Sequence, residues 1–141
     1  MYCTQDDLIS AFSEEEIRQL SDRKRPASGA IDPVVVTNAI NDATAEINMY
    51  LEGRGLLPLK TVPDTLRRIS CDIARYYLYQ NPRDDTPVTL RYRQRVKQLE
   101  SVATGKLSLG LDEAGNVPAP EETIQFTTGS NMFRQNGGGL W

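Results

Sequence analysis

Residues 32–53 read DPVVVTNAINDATAEINMYLEG, and this stretch decides the fold. Asp32 is a helix-capping residue type, and Pro33 suits the first helical position, where its missing N–H has no helical partner to lose. Val36, Ala39, Ile40, Ala43, Ile47, Tyr50 and Leu51 then recur at three- and four-residue steps, the period of one helix face. Asn38, Asn41, Asp42 and Glu46 fall on the opposite face. Gly53 and Gly55 supply the stop. The spacing predicts an amphipathic helix on the order of 30 Å long, one face of which must be covered by other elements.

Working outward, the same signals recur. Leu56-Leu57-Pro58-Leu59 is an apolar connector closed by Pro63. A second long helix is predicted from about Asp64 to Gln80. Leu66, Ile69, Ile73, Tyr76 and Tyr77 form one stripe, and Cys71, Ala74 and Leu78 an adjoining one. So wide an apolar face implies packing against more than one neighbour. Asn81-Pro82 breaks the pattern, and Thr86-Pro87 repeats the cap-then-proline start. The last helix runs from about Val88 to Thr104, with Val88, Tyr92, Val96, Leu99 and Ala103 inward and Gly105 past its end. Toward the N-terminus, Thr4 before Gln5-Asp6-Asp7-Leu8 is a capping-box-like start to a short helix reaching Phe12. Ser13 with Glu16 opens another through Leu20. Ser21 to Ala30 reads as a loop.

After Gly105 no helical period survives. Glycines and Pro118 and Pro120 punctuate a polar stretch that still carries Ile124, Phe126, Met132, Phe133, Leu140 and Trp141. Short strand segments are possible at Leu107 to Leu111 and Thr123 to Thr127. The expected organisation is all-α: a helical domain over 1–106 with three longer helices (32–53, 62–81, 87–104) and short N-terminal ones, then an extended Gly-rich arm over 107–141. Isolated aromatics on such an arm suit docking on a neighbouring subunit. There is no solenoid repeat and no sustained heptad.

Composition narrows the function. With 141 residues the chain fits one domain plus an appendage. A net charge of −3 argues against a general nucleic-acid binder. The mean hydropathy of −0.46 accompanies no apolar run long enough to span a membrane, and the acidic start Gln5-Asp6-Asp7 is unlike a signal peptide; the expected compartment is cytoplasmic. The chain has no histidine, so the commonest general base and the usual partner of a Ser or Cys nucleophile are missing. Cys3 and Cys71, without CxxC, point to neither a disulfide framework nor a zinc site; Cys71 reads as a small buried hydrophobe. No catalytic, cofactor-binding or metal-ligating set emerges.

Arg83, Arg91, Arg93, Arg95 and Lys97 make the one dense basic run. Arg91 and Arg95 share a helix face, as do Arg93 and Lys97. The usual reading of such a run is a solvated face; the functional one is a surface for an acidic partner or phosphate. The acidic N-terminal residues Asp6, Asp7, Glu14, Glu15 and Glu16 would complement it in a head-to-tail contact. Gly53-Arg54-Gly55 lacks phosphate-loop spacing and reads as a helix end. Arg67, Arg68 and Arg75 read as snorkelling surface residues, Asp72 as a partner of Arg68 or Arg75 along its own helix, and Tyr76, Tyr77 and Tyr79 as core or interface aromatics.

Tyr2-Cys3-Thr4-Gln5-Asp6-Asp7-Leu8-Ile9, Ile31-Asp32, Ala39-Ile40-Asn41-Asp42-Ala43, Ala45-Glu46-Ile47, Tyr50-Leu51, Leu57-Pro58-Leu59, Val62-Pro63, Asp72-Ile73-Ala74-Arg75-Tyr76, Leu78-Tyr79, Arg91-Tyr92 and Gly105-Lys106 occur in that order. In this order the chain resembles the small head–tail connector (adaptor) proteins of Mu-like phages and prophages. The resemblance covers about residues 2 to 107. It implies an all-α adaptor of a long-tailed phage, forming a homo-oligomeric ring, typically of twelve, between the portal protein and a tail or stopper protein. DNA would pass through the channel without sequence-specific recognition, and the family offers no catalytic residues to carry over. The implied location is the virion head–tail interface, reached from the host cytoplasm. Candidate interface residues are Asp6, Asp7, Glu14, Glu15, Arg91, Arg93, Arg95 and Lys97, with Phe126, Phe133 and Trp141 on the arm. The rival readings are a small helical DNA-binding regulator, built on short capped helices, and a carboxylate-dependent hydrolase, for which no motif exists.

Overall fold

The computed structural model describes residues 1–110, and among them the secondary structure is entirely helical. Five helices follow in order: α1 (Gln5–Phe12), α2 (Glu14–Ser21), α3 (Pro33–Gly53), α4 (Asp64–Leu78) and α5 (Pro87–Ala103). The decisive stretch is α3. The Asp32 side chain accepts from the Val34 N–H, and Pro33 occupies the first turn. Its far end closes with Gly55 in the left-handed region at φ +72°, the Gly55 N–H donating to Glu52 and the Leu56 N–H to Leu51. That is a Schellman stop, and it turns the chain into the 56–59 connector, whose leucines pack on the core.

Helices α3, α4 and α5 pack against one another in all three pairings, while α1 and α2 lie across α3 and α4. The wide apolar face of α4 is explained by this: it meets α1, α3 and α5. Leu8, Ile17, Val36, Ile40, Ile47, Leu51, Leu66, Ile69, Ile73, Leu78, Leu99 and Val102 are almost wholly withdrawn from solvent. Each such side chain contributes roughly 1.5–3 kcal/mol of burial free energy.

Local capping matches the sequence reading with small differences. Thr4 and Asp7 form a complete capping box on α1. On α2 Ser13 accepts from the Glu16 N–H, but Glu16 does not reach back. Its carboxylate instead takes the Arg75 guanidinium at 2.7 Å and the Tyr79 hydroxyl at 3.2 Å, binding α2 to α4. Helix α4 stops at Leu78, two residues before the predicted end, because Gln80 and Asn81 adopt φ +47° and +58°. Arg23 donates to the Leu78 carbonyl at 3.1 Å. On α5 Val102, not Ala103, is the buried residue of the last turn. The 22–31 loop is ordered by Asp22, whose carboxylate accepts from the Ser28 N–H and hydroxyl and the Gly29 N–H. Those donors, the Ser28 N–H first, hold its carboxyl below the ordinary aspartate range.

Of the possible strand segment Leu107 to Leu111, the described residues Leu107 to Gly110 are in no strand, and Leu109 packs on the helical core. The second possible strand, Thr123 to Thr127, lies outside the described residues, as do Phe126, Phe133 and Trp141 and with them the expected arm beyond Gly110.

Candidate interaction surface

The basic run of α5 divides into inward and outward arginines. Arg95 is half-buried: its Nε donates to Asp72 Oδ2 at 2.6 Å and its terminal nitrogen to Gln98 Oε1 at 2.9 Å. Arg91 reaches the same carboxylate from the rim at 3.8 Å, its side chain 53% exposed. Asp72 therefore pairs across to α5 and not along α4 with Arg68 or Arg75, the spacing-based expectation. A carboxylate 6% exposed needs its cation delivered from a packed neighbour. Arg75, for its part, is committed to Glu16 and lies over the Phe12 ring at 4.4 Å.

Around this pair opens a cleft of about 440 Å³ between α1, α4 and α5. Asp7, Phe12, Arg67, Arg68, Asp72, Arg91 and Arg95 line it. Four guanidiniums against two carboxylates leave an excess of positive charge. Arg67 is held by Asp64 at 2.8 Å. Arg68 is exposed and forms no ion pair with any described residue. Of the other sequence candidates, Arg93 pairs with Asp84 at the surface at 3.1 Å, and Lys97 is exposed. Asp7 lines the same cleft as Arg91 and Arg95, so part of the acidic end lies beside the basic helix within one subunit. Asp6 and Glu14 are exposed in the first turns of α1 and α2, and Glu15 is engaged by Arg18 at 2.7 Å and Gln19 at 2.9 Å.

A second cleft, of about 430 Å³, was missed in the sequence. It lies between α3, α4 and α5 and is lined by Asp42, Ala45, Glu46, Met49, Tyr50, Tyr77 and Tyr92. Glu46 is half-buried and accepts O–H bonds from Tyr77 and, at 2.8 Å, from Tyr92. Tyr92 also stacks on Tyr76 with ring centroids 3.9 Å apart. Burial, then the bond to Glu46, pushes the Tyr92 hydroxyl up to about 12 and raises Tyr77 for the same two reasons. Both phenols thus stay protonated and donate to the Glu46 carboxylate. Neither Glu46 nor Asp42 has a cation among the described residues, and Met49 at the rim is 72% exposed. The i, i+3, i+4 set Glu46, Met49, Tyr50 was the available signal. It fell on the boundary between the apolar and polar faces of α3 and was split between them.

Cys3 and Cys71, distant in sequence, come together in the core, where Cys3 Sγ accepts from the Ser70 hydroxyl at 3.4 Å. Both are buried and unbridged. The neighbouring Cys3 thiol, ahead of burial, raises Cys71, and the neighbouring Cys71 thiol lowers Cys3 against the opposing effect of burial. Among the described residues no three acidic or thiol groups converge as metal ligands, and no helix is long and apolar enough to cross a membrane. The short α1–α2 pair is ill suited to read DNA, since Glu14, Glu15 and Glu16 open α2 where a recognition helix would meet phosphates. The arrangement equips the chain to bind by charge and shape.

Comparison with known proteins gives a consistent answer. The family model described as Bacteriophage Mu, Gp36 matches residues 2–128. The chain is 34% identical over 141 residues to the Mu-like prophage FluMu protein gp36 of Haemophilus influenzae, covering 100% of this chain and 92% of that protein. It is 32% identical over 133 residues to Gene product J of Escherichia phage Mu, covering 94% of this chain and 93% of the relative.

Proposed function

Because this chain belongs to the bacteriophage Mu Gp36 family, we propose that it is the head–tail connector (adaptor) of a Mu-like phage or prophage. It assembles as a ring between the portal protein and a tail or stopper protein. The observation that carries this reading is the pair of charged clefts of opposite character on one helical scaffold. A subunit that assembles by binding alone needs distinct surfaces for distinct neighbours, and a closed ring needs two unlike patches on every copy.

The role requires no chemistry. The buried Asp72–Arg95 pair and the Glu16–Arg75 pair tie α4 to α5 and α2 to α4, which keeps both clefts in a constant relation. DNA would pass through the ring without base-specific contact. The portal protein purified alone and then with this chain tests the proposal. A stable complex with several copies of the chain per portal ring supports it, and failure to associate at physiological salt contradicts it.

A further inference from the structure

We propose that the tyrosine–carboxylate cleft between α3, α4 and α5 is the acceptor for Arg68 of a second copy of this chain, forming the head-to-tail contact of the ring. This deepens the adaptor reading and rests on it.

The two halves of the contact lie on opposite sides of one helix. Arg68 and Tyr77 are nine positions apart in α4, which is two and a half turns at about 3.6 residues per turn. They therefore point half a turn apart, Arg68 into the arginine cleft and Tyr77 into the acidic one. A heterologous contact asks for this: two different patches, facing away from each other, each complementary to the other on the next copy.

The chemistry of the acceptor suits a guanidinium. Glu46 is held in place by two tyrosine hydroxyls and has no cation within ion-pair distance among the described residues. Asp42 stands one helical turn away on α3 and is exposed. Tyr50, which lines the cleft and is not among the stacked tyrosines, supplies an aromatic ring for a planar cation. Met49 is an apolar rim able to cover the stem of an incoming side chain. Among the four arginines that line the first cleft, Arg68 is the natural donor. Arg67, Arg91 and Arg95 each already have a carboxylate within 4 Å, and Arg68 has none among the described residues.

A charge-swap cycle on the full chain tests the contact, read by native mass spectrometry of the chain alone and on its portal. Asp42 and Arg68 are both exposed, and thermal unfolding of each variant checks that the fold is kept. D42K and R68E should each weaken self-association at least about tenfold, since like charges then face each other. The D42K/R68E double variant should recover it in part, since Lys replaces Asp42 opposite the new carboxylate while Glu46 still repels it. The milder D42N and R68Q should weaken association in the same direction by less. Rings that persist in both single variants overturn this contact and leave the adaptor reading intact. Loss in the single variants without recovery in the double overturns the pairing as well. A wild-type chain that stays monomeric in both settings overturns the adaptor reading and this contact with it.

Discussion

Removing the Arg95 guanidinium leaves the Asp72 carboxylate, 6% exposed, with only the rim contact to Arg91 at 3.8 Å. An unpaired buried charge is far more costly than a lost surface bridge. R95A is expected to lower stability by about 3 kcal/mol, seen as a fall in the urea midpoint with little change in slope. R93A, which loses a surface pair to Asp84, should shift it by less than about 1 kcal/mol. Tyr92 offers a test by pH. Its folded value of about 12 lies above the free phenol near 10. The folded chain therefore holds a proton that the unfolded chain has lost between those values. Its contribution is fully present below about pH 10 and disappears as pH rises toward about 12. Alkaline unfolding should show this loss of stability, and Y92F should flatten it. An identical pH profile in Y92F would refute the Tyr92 phenol as its source.

Among the elements, α3 carries the fold, and its ends are where single changes matter. D32A removes the acceptor of the Val34 N–H and should cost about 1 kcal/mol. Gly105 ends α5 at φ +84°, and a Cβ there would sit 3.1 Å from the Arg54 guanidinium. G105A combines left-handed strain with a close approach, so it is expected to destabilise by about 1 kcal/mol or more. Thermal unfolding of both variants measures these effects. These termini were legible because capping and stop signals are local: Asp32-Pro33, Thr86-Pro87, Gly55 and Gly105 act within one turn. The partner of Asp72 was not legible. Spacing along α4 offered Arg68 and Arg75, whereas the actual partner depends on how α5 is rotated against α4, which no local pattern encodes. The tyrosine–carboxylate cleft escaped for the same reason, since Glu46, Tyr77 and Tyr92 come from three helices. The pairing of Arg91 with Arg95 on one face was readable; that Arg95 is withdrawn against Asp72 while Arg91 meets it only from the exposed rim was not.

At the scale of the molecule, two clefts of opposite charge lie on either side of α4, and the chain as a whole is mildly acidic. Contacts made through such surfaces should weaken as salt rises, since exposed charges are screened beyond roughly 8–10 Å at physiological ionic strength. Self-association and portal binding are both expected to fall between about 50 and 200 mM salt. Binding to duplex DNA, by contrast, should be weak and indifferent to sequence in gel shifts at physiological salt. Tight sequence-specific binding would favour a regulator. Electron microscopy of the portal protein with and without this chain tests the central claim most directly. The adaptor account predicts a closed additional ring, coaxial with the portal and made of this chain. Portal particles identical in the two preparations, with the chain left free in solution, would contradict it.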